Sequence, residues 1–419
     1  MQTIQASIIT IGDELLIGQV IDTNSAWMAQ ELNKAGIPVK RRVAVGDDWD
    51  AIWTSLDEES KHANIILITG GLGPTSDDIT KPLLCKYFNG KMVINEDALR
   101  NVKYLFEKVF KRPMIEINLK QAEVPDVCTV IRNKRGTAPG MWFDKEDKIF
   151  ISMPGVPFEM KGMMTDDVIP RLTEKFTLPF IIHKTLLTAG VGESFLAEQI
   201  KDFETSLPSN IKLAYLPSYG MVRLRLSSSG FDKSAIENQI NSYFETLQSL
   251  VKENLVTNED EPIAKVLGKL LINKNKTMAT AESCTGGYIA HLITTIPGSS
   301  SFYKGSIVSY DNDVKEDLLN VSSTTLSTFG AVSEETVKEM LTGVLNKIKS
   351  DYAIAVSGIM GPDGGTPEKP VGTVWIAAGN DQNMITQKIN FRFDRVRNIE
   401  LTALNALNIL RKFILANSQ

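Results

Sequence analysis

The sequence predicts an α/β protein in three parts: an N-terminal doubly wound, mostly parallel sheet, a small α+β middle module, and a C-terminal α/β domain. Two observations predict it. In the first and last thirds, short apolar runs alternate with stretches of helical period, the pattern of strands covered on both faces by helices. Between them, Met221-Val222-Arg223-Leu224-Arg225-Leu226 alternates strictly, which suits a half-exposed antiparallel strand. The boundaries fall at residues 1–170, 171–256 and 257–419, with the acidic stretch Thr257–Pro262 as linker.

Each element follows in order. Ala6–Gly12 reads as a buried strand, Thr23–Ala35 as an amphipathic helix, Val39–Val45 as a strand, Trp49–Lys61 as a helix and Asn64–Thr69 as an apolar strand. Lys148–Met153 adds a later strand. In the middle module, His183–Ala189 reads as a strand and Glu193–Phe203 as a helix. Lys212–Tyr215 pairs with Met221–Ser227 as a hairpin, and Ser234–Val251 is helical. Gly190 and Gly192 mark a strand-to-helix turn. The last domain reads as strand Lys276–Ala281, a helix from Thr285, strand Gly305–Ser309, helix Glu334–Ile348 and strand Tyr352–Ser357. Val371–Ala378 and Met384–Phe391 then form a closing hairpin before a final helix.

Composition narrows the function. With 419 residues and 43% hydrophobic content the chain is long enough for two or three cores. A formal net charge of −5 argues against a dedicated nucleic-acid binder, which would be basic. The runs at Lys40–Arg42 and Arg132–Arg135 read as solvated faces. Cys85, Cys128 and Cys284 are widely spaced, without the pairing of a zinc site or disulfide framework. No long apolar stretch suggests a membrane span, and the chain opens on a strand pattern without a basic flank, so a cytoplasmic location is expected. His62, His183 and His291 are the only histidines, each read as structural, which disfavours a histidine base.

Ala281-Glu282-Ser283-Cys284-Thr285-Gly286-Gly287 lies between a strand and a helix. Such a turn stands at the open end of a parallel sheet, where sites form. Free N–H groups at a helix start can hold an oxyanion or a phosphate. A plain turn with Ser283 as helix cap is the alternative. Downstream lie the Pro297-Gly298-Ser299-Ser300 turn, Tyr310-Asp311-Asn312-Asp313-Val314-Lys315, and a glycine-rich loop from Ser357 to Thr366. A serine nucleophile needs a base. His291 is eight residues from Ser283, about 10 Å along a helix axis and out of reach. Lys315 is the better candidate, since a sheltered lysine can work as a neutral base. Cys284 is the rival nucleophile.

AESCTGG, the GSS turn, YDNDVK, GAVSEET and SGIMGPDGGTPEKPVGTVW, in that order, resemble the CinA family in its C-terminal nicotinamide-mononucleotide deamidase domain. The resemblance implies a Ser/Lys amidohydrolase that needs no cofactor for deamidation. It places the nucleophile on Ser283 and the base on Lys315. Supporting roles fall on Ser300, Tyr310 and Ser357, and phosphate contact on Arg395. Phe393 precedes Asp394-Arg395 where the family carries glycine, and Met360 stands where a smaller residue is common. The amides around Thr285, Gly286 and Gly287 are inferred as oxyanion donors.

Near the N-terminus, Gly12-Asp13-Glu14 follows the first strand, and Thr69-Gly70-Gly71-Leu72-Gly73-Pro74-Thr75-Ser76-Asp77-Asp78 follows the third. Gly70, Gly71, Gly73 and Thr75 suit close approach to a phosphate, and Asp13, Glu14, Asp77 and Asp78 offer oxygens to a divalent metal. Asp22 and Asp77 serve equally as caps or turn residues. This region, with Gly136–Gly140 and Met153–Pro157, resembles the MogA/MoeA-like molybdopterin-binding fold that opens longer CinA proteins. The resemblance implies a metal-dependent ADP-ribose pyrophosphatase, joined to the deamidase in pyridine-nucleotide salvage, in a homodimer without nucleic acid or membrane. The glycines and carboxylates also suit pterin binding without hydrolysis. A non-enzymatic competence or DNA-damage partner protein remains a further alternative.

Overall fold

The computed structural model describes residues 4–75, 78–113, 115–218 and 220–417. The chain forms two compact units. One runs to Ile182 with Ser229–Ile236, and the other comprises His183–Ser228 with the chain from Glu237 onward.

In the first unit the strands are β1 (Ala6–Ile11), β2 (Val39–Val45), β3 (Ile65–Thr69), β4 (Met92–Ile94), β5 (Glu123–Pro125), β6 (Thr129–Ile131), β7 (Gly140–Lys145) and β8 (Lys148–Met153). Six of them form a sheet in the order β2-β1-β3-β8-β7-β6. The pairs β1–β2, β1–β3 and β3–β8 are parallel, while β7 runs antiparallel to both neighbours. Strands β4 and β5 form a separate antiparallel pair. The unbroken apolar runs in β1 and β3 have a direct cause. Ala6, Ile8, Ile65 and Leu67 enter one hydrophobic cluster, whereas Ile9, Ile11, Ile66 and Ile68 enter another on the opposite face. Alternate side chains point to opposite faces, so a strand covered on both sides must be apolar throughout.

The second unit holds two sheets. Strands β9 (Phe180–Ala189), β10 (Ile211–Ser218), β11 (Met221–Gly230) and β12 (Leu255–Thr257) pair in the order β10-β11-β9-β12. β10 and β11 are the expected hairpin, Leu213 opposite Leu226. The helix expected over Glu193–Phe203 is broken into Glu193–Gln199 and Lys201–Thr205 at Ile200.

The other sheet contains β13 (Met278–Glu282), β14 (Tyr303–Val308), β15 (Tyr352–Gly358), β16 (Thr373–Gly379) and β17 (Met384–Asn390), in the order β14-β13-β15-β16-β17. β14, β13 and β15 are parallel, and β16–β17 is the closing antiparallel hairpin. Leu187, Ala189, Met221 and Val256 pack into the same core as Ile263, Leu267, Leu407 and Ile414, so the middle strands share the apolar interior of the last domain. Among the described residues, no helix is long and apolar enough to cross a membrane.

Candidate active site

The carboxyl ends of the three parallel strands β13, β14 and β15 are adjacent, and each leads into a polar residue read from the sequence. β13 delivers Ser283, β14 delivers Ser309 and Tyr310, and β15 carries Ser357 near its end. A crevice at this edge is where doubly wound sheets bind ligands. Here it is a cavity of about 170 Å³ lined by Ser283, Tyr310, Lys315, Ser357 and Arg395. Cys284, Asn312, Val332 and Met360 line it too.

Lys315 sits in the first turn of the helix Asn312–Leu319, started by Asp311, whose side chain caps the amide of Asp313. That placement folds the lysine back over the chain that precedes its own helix. Only 1% of it is exposed, and its Nζ donates to the carbonyls of Ser309 (2.8 Å), Tyr310 (3.1 Å) and Asp311 (3.4 Å). Burial pushes the amine below the ordinary lysine range, while the nearby Asp311 carboxylate pulls the other way. Three carbonyls match the three donors of an ammonium. A neutral amine has two donors and a lone pair. Deprotonation therefore releases one of these contacts, of which that to Asp311 is the longest.

Ser283, also buried, lines the same cavity, with its amide donating to the Val356 carbonyl at 3.0 Å. Cys284 belongs to the apolar core of this unit, and burial raises its thiol far above the ordinary cysteine value. A thiol so placed supplies no thiolate. Ser357 spends its hydroxyl on the Ala331 carbonyl at 2.7 Å, pinning the loop that forms one wall. Arg395 begins the helix Arg395–Ala416 and donates to the Gly361 carbonyl (2.8 Å) and the Tyr310 hydroxyl (2.9 Å). Its guanidinium and the exposed Tyr310 ring thus stand at the mouth. Met360 is buried, so its bulk forms part of the wall.

Three readings of this region need correction. The helix expected from Thr285 starts at Tyr288, because Gly286 (φ 59°) and Gly287 (φ 96°) hold a left-handed turn that interrupts it. The amides of Gly286 and Gly287 are also not available as oxyanion donors. The first donates to the Ser283 carbonyl and the second to the Glu282 carboxylate, at 3.1 Å each. Ser300 lies exposed on the turn Ser299–Ser301 and does not line the cavity. Glu282, Asn312 and Val332 carry no role in the sequence reading, although all three lie within motifs it singled out.

The three histidines stand apart from this cavity. His62 contacts Glu58 and His183 contacts Ser227, while His291 stacks near Tyr288.

A second cavity, about 450 Å³, opens at the carboxyl ends of β1 and β3. Gly70, Gly71 and Gly73 line it, as do Gln121 and Thr137. Gly70 has φ 116°, and a Cβ there would meet the Ile11 carbonyl at 2.2 Å, so this close crossing admits only glycine. Thr75 is not in the lining. Its amide and hydroxyl donate to Asp78, which also receives the Gly73 amide and so clasps the glycine loop. Asp22 caps the helix Thr23–Lys34 by accepting from the Ser25 amide. Asp77 lies outside the described residues.

Several carboxylates here are engaged within the protein. Asp13 and Asp47 exchange amide-to-carboxylate bonds at 3.3 and 3.2 Å. Asp78 is engaged as above, and Glu159, raised by burial, accepts from Asn133 at 2.6 Å. Among the described residues no group of three or more His, Cys, Asp or Glu side chains is placed to hold an ion.

Comparison with known proteins matches this architecture stretch by stretch. Residues 7–174 match the family described as "Probable molybdopterin binding domain", residues 183–257 the damage-inducible protein CinA KH domain, and residues 260–414 the CinA C-terminal domain. A CinA-like protein of Flavobacterium psychrophilum is 48% identical over 99% of both chains, and one of Cytophaga hutchinsonii is 46% identical over 98% of both. A crystal structure of a CinA superfamily protein from Klebsiella pneumoniae is 34% identical, covering 37% of this chain and 96% of that one, with a TM-score of 0.36. Relatives so similar over almost their whole length, and three domains matched in succession, place this chain in the CinA family.

Proposed function

We propose that the C-terminal cavity hydrolyses the carboxamide of nicotinamide mononucleotide to nicotinate mononucleotide and ammonia, with Ser283 as nucleophile and Lys315 as base. The observation that carries this reading is that a serine at a strand end and a wholly buried lysine line one small cavity. Neutral Lys315 takes the Ser283 hydroxyl proton as Oγ attacks the carboxamide carbon. The resulting ammonium returns a proton to the departing nitrogen, which leaves as ammonia. Water then attacks the acyl-enzyme, losing its proton to the same amine, which passes it to the departing Ser283 Oγ as nicotinate mononucleotide is released. Oxyanion stabilisation falls to the amide of Cys284, which lines the cavity, such a donor being worth about 3 kcal/mol.

Size supports the assignment of ends. At about 170 Å³ the cavity is smaller than those enclosing a drug-sized ligand whole, which run ~300–1,000 Å³. It takes the carboxamide ring and leaves the phosphate at the mouth, beside Arg395. The test is ammonia release from nicotinamide mononucleotide against the riboside, which lacks the phosphate. The mononucleotide should be turned over and strongly preferred, and Arg395→Gln should raise its KM roughly tenfold, the loss of a charge-assisted contact, with little change in kcat. Equal use of both substrates by the unaltered protein would remove Arg395 from this role. No ammonia from either would end the amidase reading.

The glycine-lined cavity supports a second activity, hydrolysis of the ADP-ribose pyrophosphate. The Gly70 amide is held by the Met153 carbonyl (3.2 Å), and the backbone crossing there sets Gly71 in the cavity lining, where its amide would meet a phosphate. AMP release from ADP-ribose, assayed with and without added magnesium, should depend on Gly70. A Gly70→Ala variant that still melts cooperatively should lose AMP release and keep ammonia release. Undiminished AMP release by that variant would place the reaction elsewhere.

A further inference from the structure

Glu282 immediately precedes Ser283 and is completely buried, yet the proton transfers above do not use it. Its Oε2 accepts from the Thr285 hydroxyl (2.7 Å) and the amides of Gly287 (3.1 Å) and Ile289 (3.0 Å). Its Oε1 accepts from the Ala290 amide (2.9 Å), with the hydroxyls of Thr280 at 3.2 Å and Ser306 at 3.4 Å. The amides of Gly287, Ile289 and Ala290 belong to the cap and first turn of the helix Tyr288–Thr294, where backbone donors have no intrahelical acceptor. Gly287 at the cap position has no side chain to receive them. A residue of the preceding strand does so instead.

Burying a carboxylate is costly unless it is well bonded, and here amides and the favourable end of the helix dipole do the compensating. The turn that carries Ser283 is thereby tied at both ends, by strand β13 on one side and by Glu282 to the helix on the other. The helix start is filled by the protein's own anion, which leaves the substrate phosphate to Arg395.

We propose that Glu282 is a positioning residue for the amidase site, whose carboxylate holds the Ser283 turn in its reactive orientation. The proposal rests on the reading of Ser283 as nucleophile. Glutamine cannot substitute without loss. The three backbone amides are divided between both oxygens and can only donate, so a glutamine NH₂ must face at least one of them. Aspartate keeps both oxygens but falls one methylene short.

The experiment compares the full-length wild type with Glu282→Gln and Glu282→Asp, each checked for a cooperative melt. Three quantities are read: kcat and KM for nicotinamide mononucleotide, the rate at which a fluorophosphonate labels Ser283, and amide hydrogen exchange at residues 287–290. In Glu282→Gln, kcat and labelling should fall together by at least about tenfold, the scale of a small misplacement of a reacting group, with KM within about twofold. Exchange at 287–290 should quicken as the clamp is lost. Glu282→Asp should recover part of both rates. A folded Glu282→Gln protein that labels at the wild-type rate overturns the proposal, and so does a raised KM at unchanged kcat. If Glu282→Gln does not fold, wild-type labelling by Glu282→Asp overturns it equally. A wild type that labels at Ser283 but releases no ammonia sinks the substrate reading alone, because labelling still decides the role of Glu282. A wild type that neither labels at Ser283 nor turns over sinks both.

Discussion

Ser283→Ala should eliminate ammonia release from nicotinamide mononucleotide, a loss on the order of 10⁴-fold or more, as expected when a nucleophile is removed. The fold should survive, since among the described residues the Ser283 hydroxyl makes no hydrogen bond that its loss would orphan, and the melting temperature should stay at the wild-type value. The companion Cys284→Ala variant should retain turnover. Its thiol is packed among apolar side chains and held in the protonated form by burial, so it has no route to a thiolate. Retained ammonia release in Ser283→Ala together with its loss in Cys284→Ala would exchange the roles of the two neighbours.

Lys315→Ala should lower kcat by on the order of 10³-fold, within the range of general-base removal. Unlike the serine change it should also cost stability, on the order of 1–3 kcal/mol, because three carbonyls lose a buried donor. The measurement is therefore made on protein shown to be folded. Added ethylamine should restore part of the rate, in proportion to its neutral fraction, by entering the space the side chain vacates. The pH profile has a definite sign. The base must be neutral, so wild-type kcat/KM should rise with pH and level off above the Lys315 pKa, losing tenfold per unit below it. Because burial lowers that pKa, the inflection should lie below the ordinary lysine value. A profile flat in this limb, or one preserved in Lys315→Ala, would assign the base to another group.

Much of the architecture was legible because two-sided burial writes itself into sequence. β1, β3 and β15 are apolar at consecutive positions since both faces are covered, and the alternation of β11 marks its half-exposed place in the middle sheet. Residues 79–147 gave no such signal. They contain Met92–Ile94, Glu123–Pro125 and Thr129–Ile131, strands of three residues, too short for a period to show. The helix after Ser283 was placed three residues early, because the left-handed backbone of Gly286 and Gly287 forms a turn first.

The site divides in the same way. The strand-end serine depends on local chain geometry, and consecutive residues suffice to state it, whereas the glycine crossing at Gly70 is made against Ile11, far along the chain. What made Lys315 a candidate base is not local. A lysine in Asp-Val-Lys-Glu reads as a solvated cation, and although its three carbonyl partners lie only four to six residues earlier, its near-complete burial depends on the rest of the domain. Glu282 was missed for the same cause: a carboxylate at a strand end looks hydrated until the following helix folds back and aims its amides at it. Gln121, Thr137 and Glu159 reach the N-terminal cavity from far along the chain. Sequence by itself determined the alternation of strands and helices and the family's ordered motifs, because these depend on near neighbours. Which polar groups lie in water and which are enclosed was decided only by the tertiary structure, because burial is a property of all the chain that surrounds a residue.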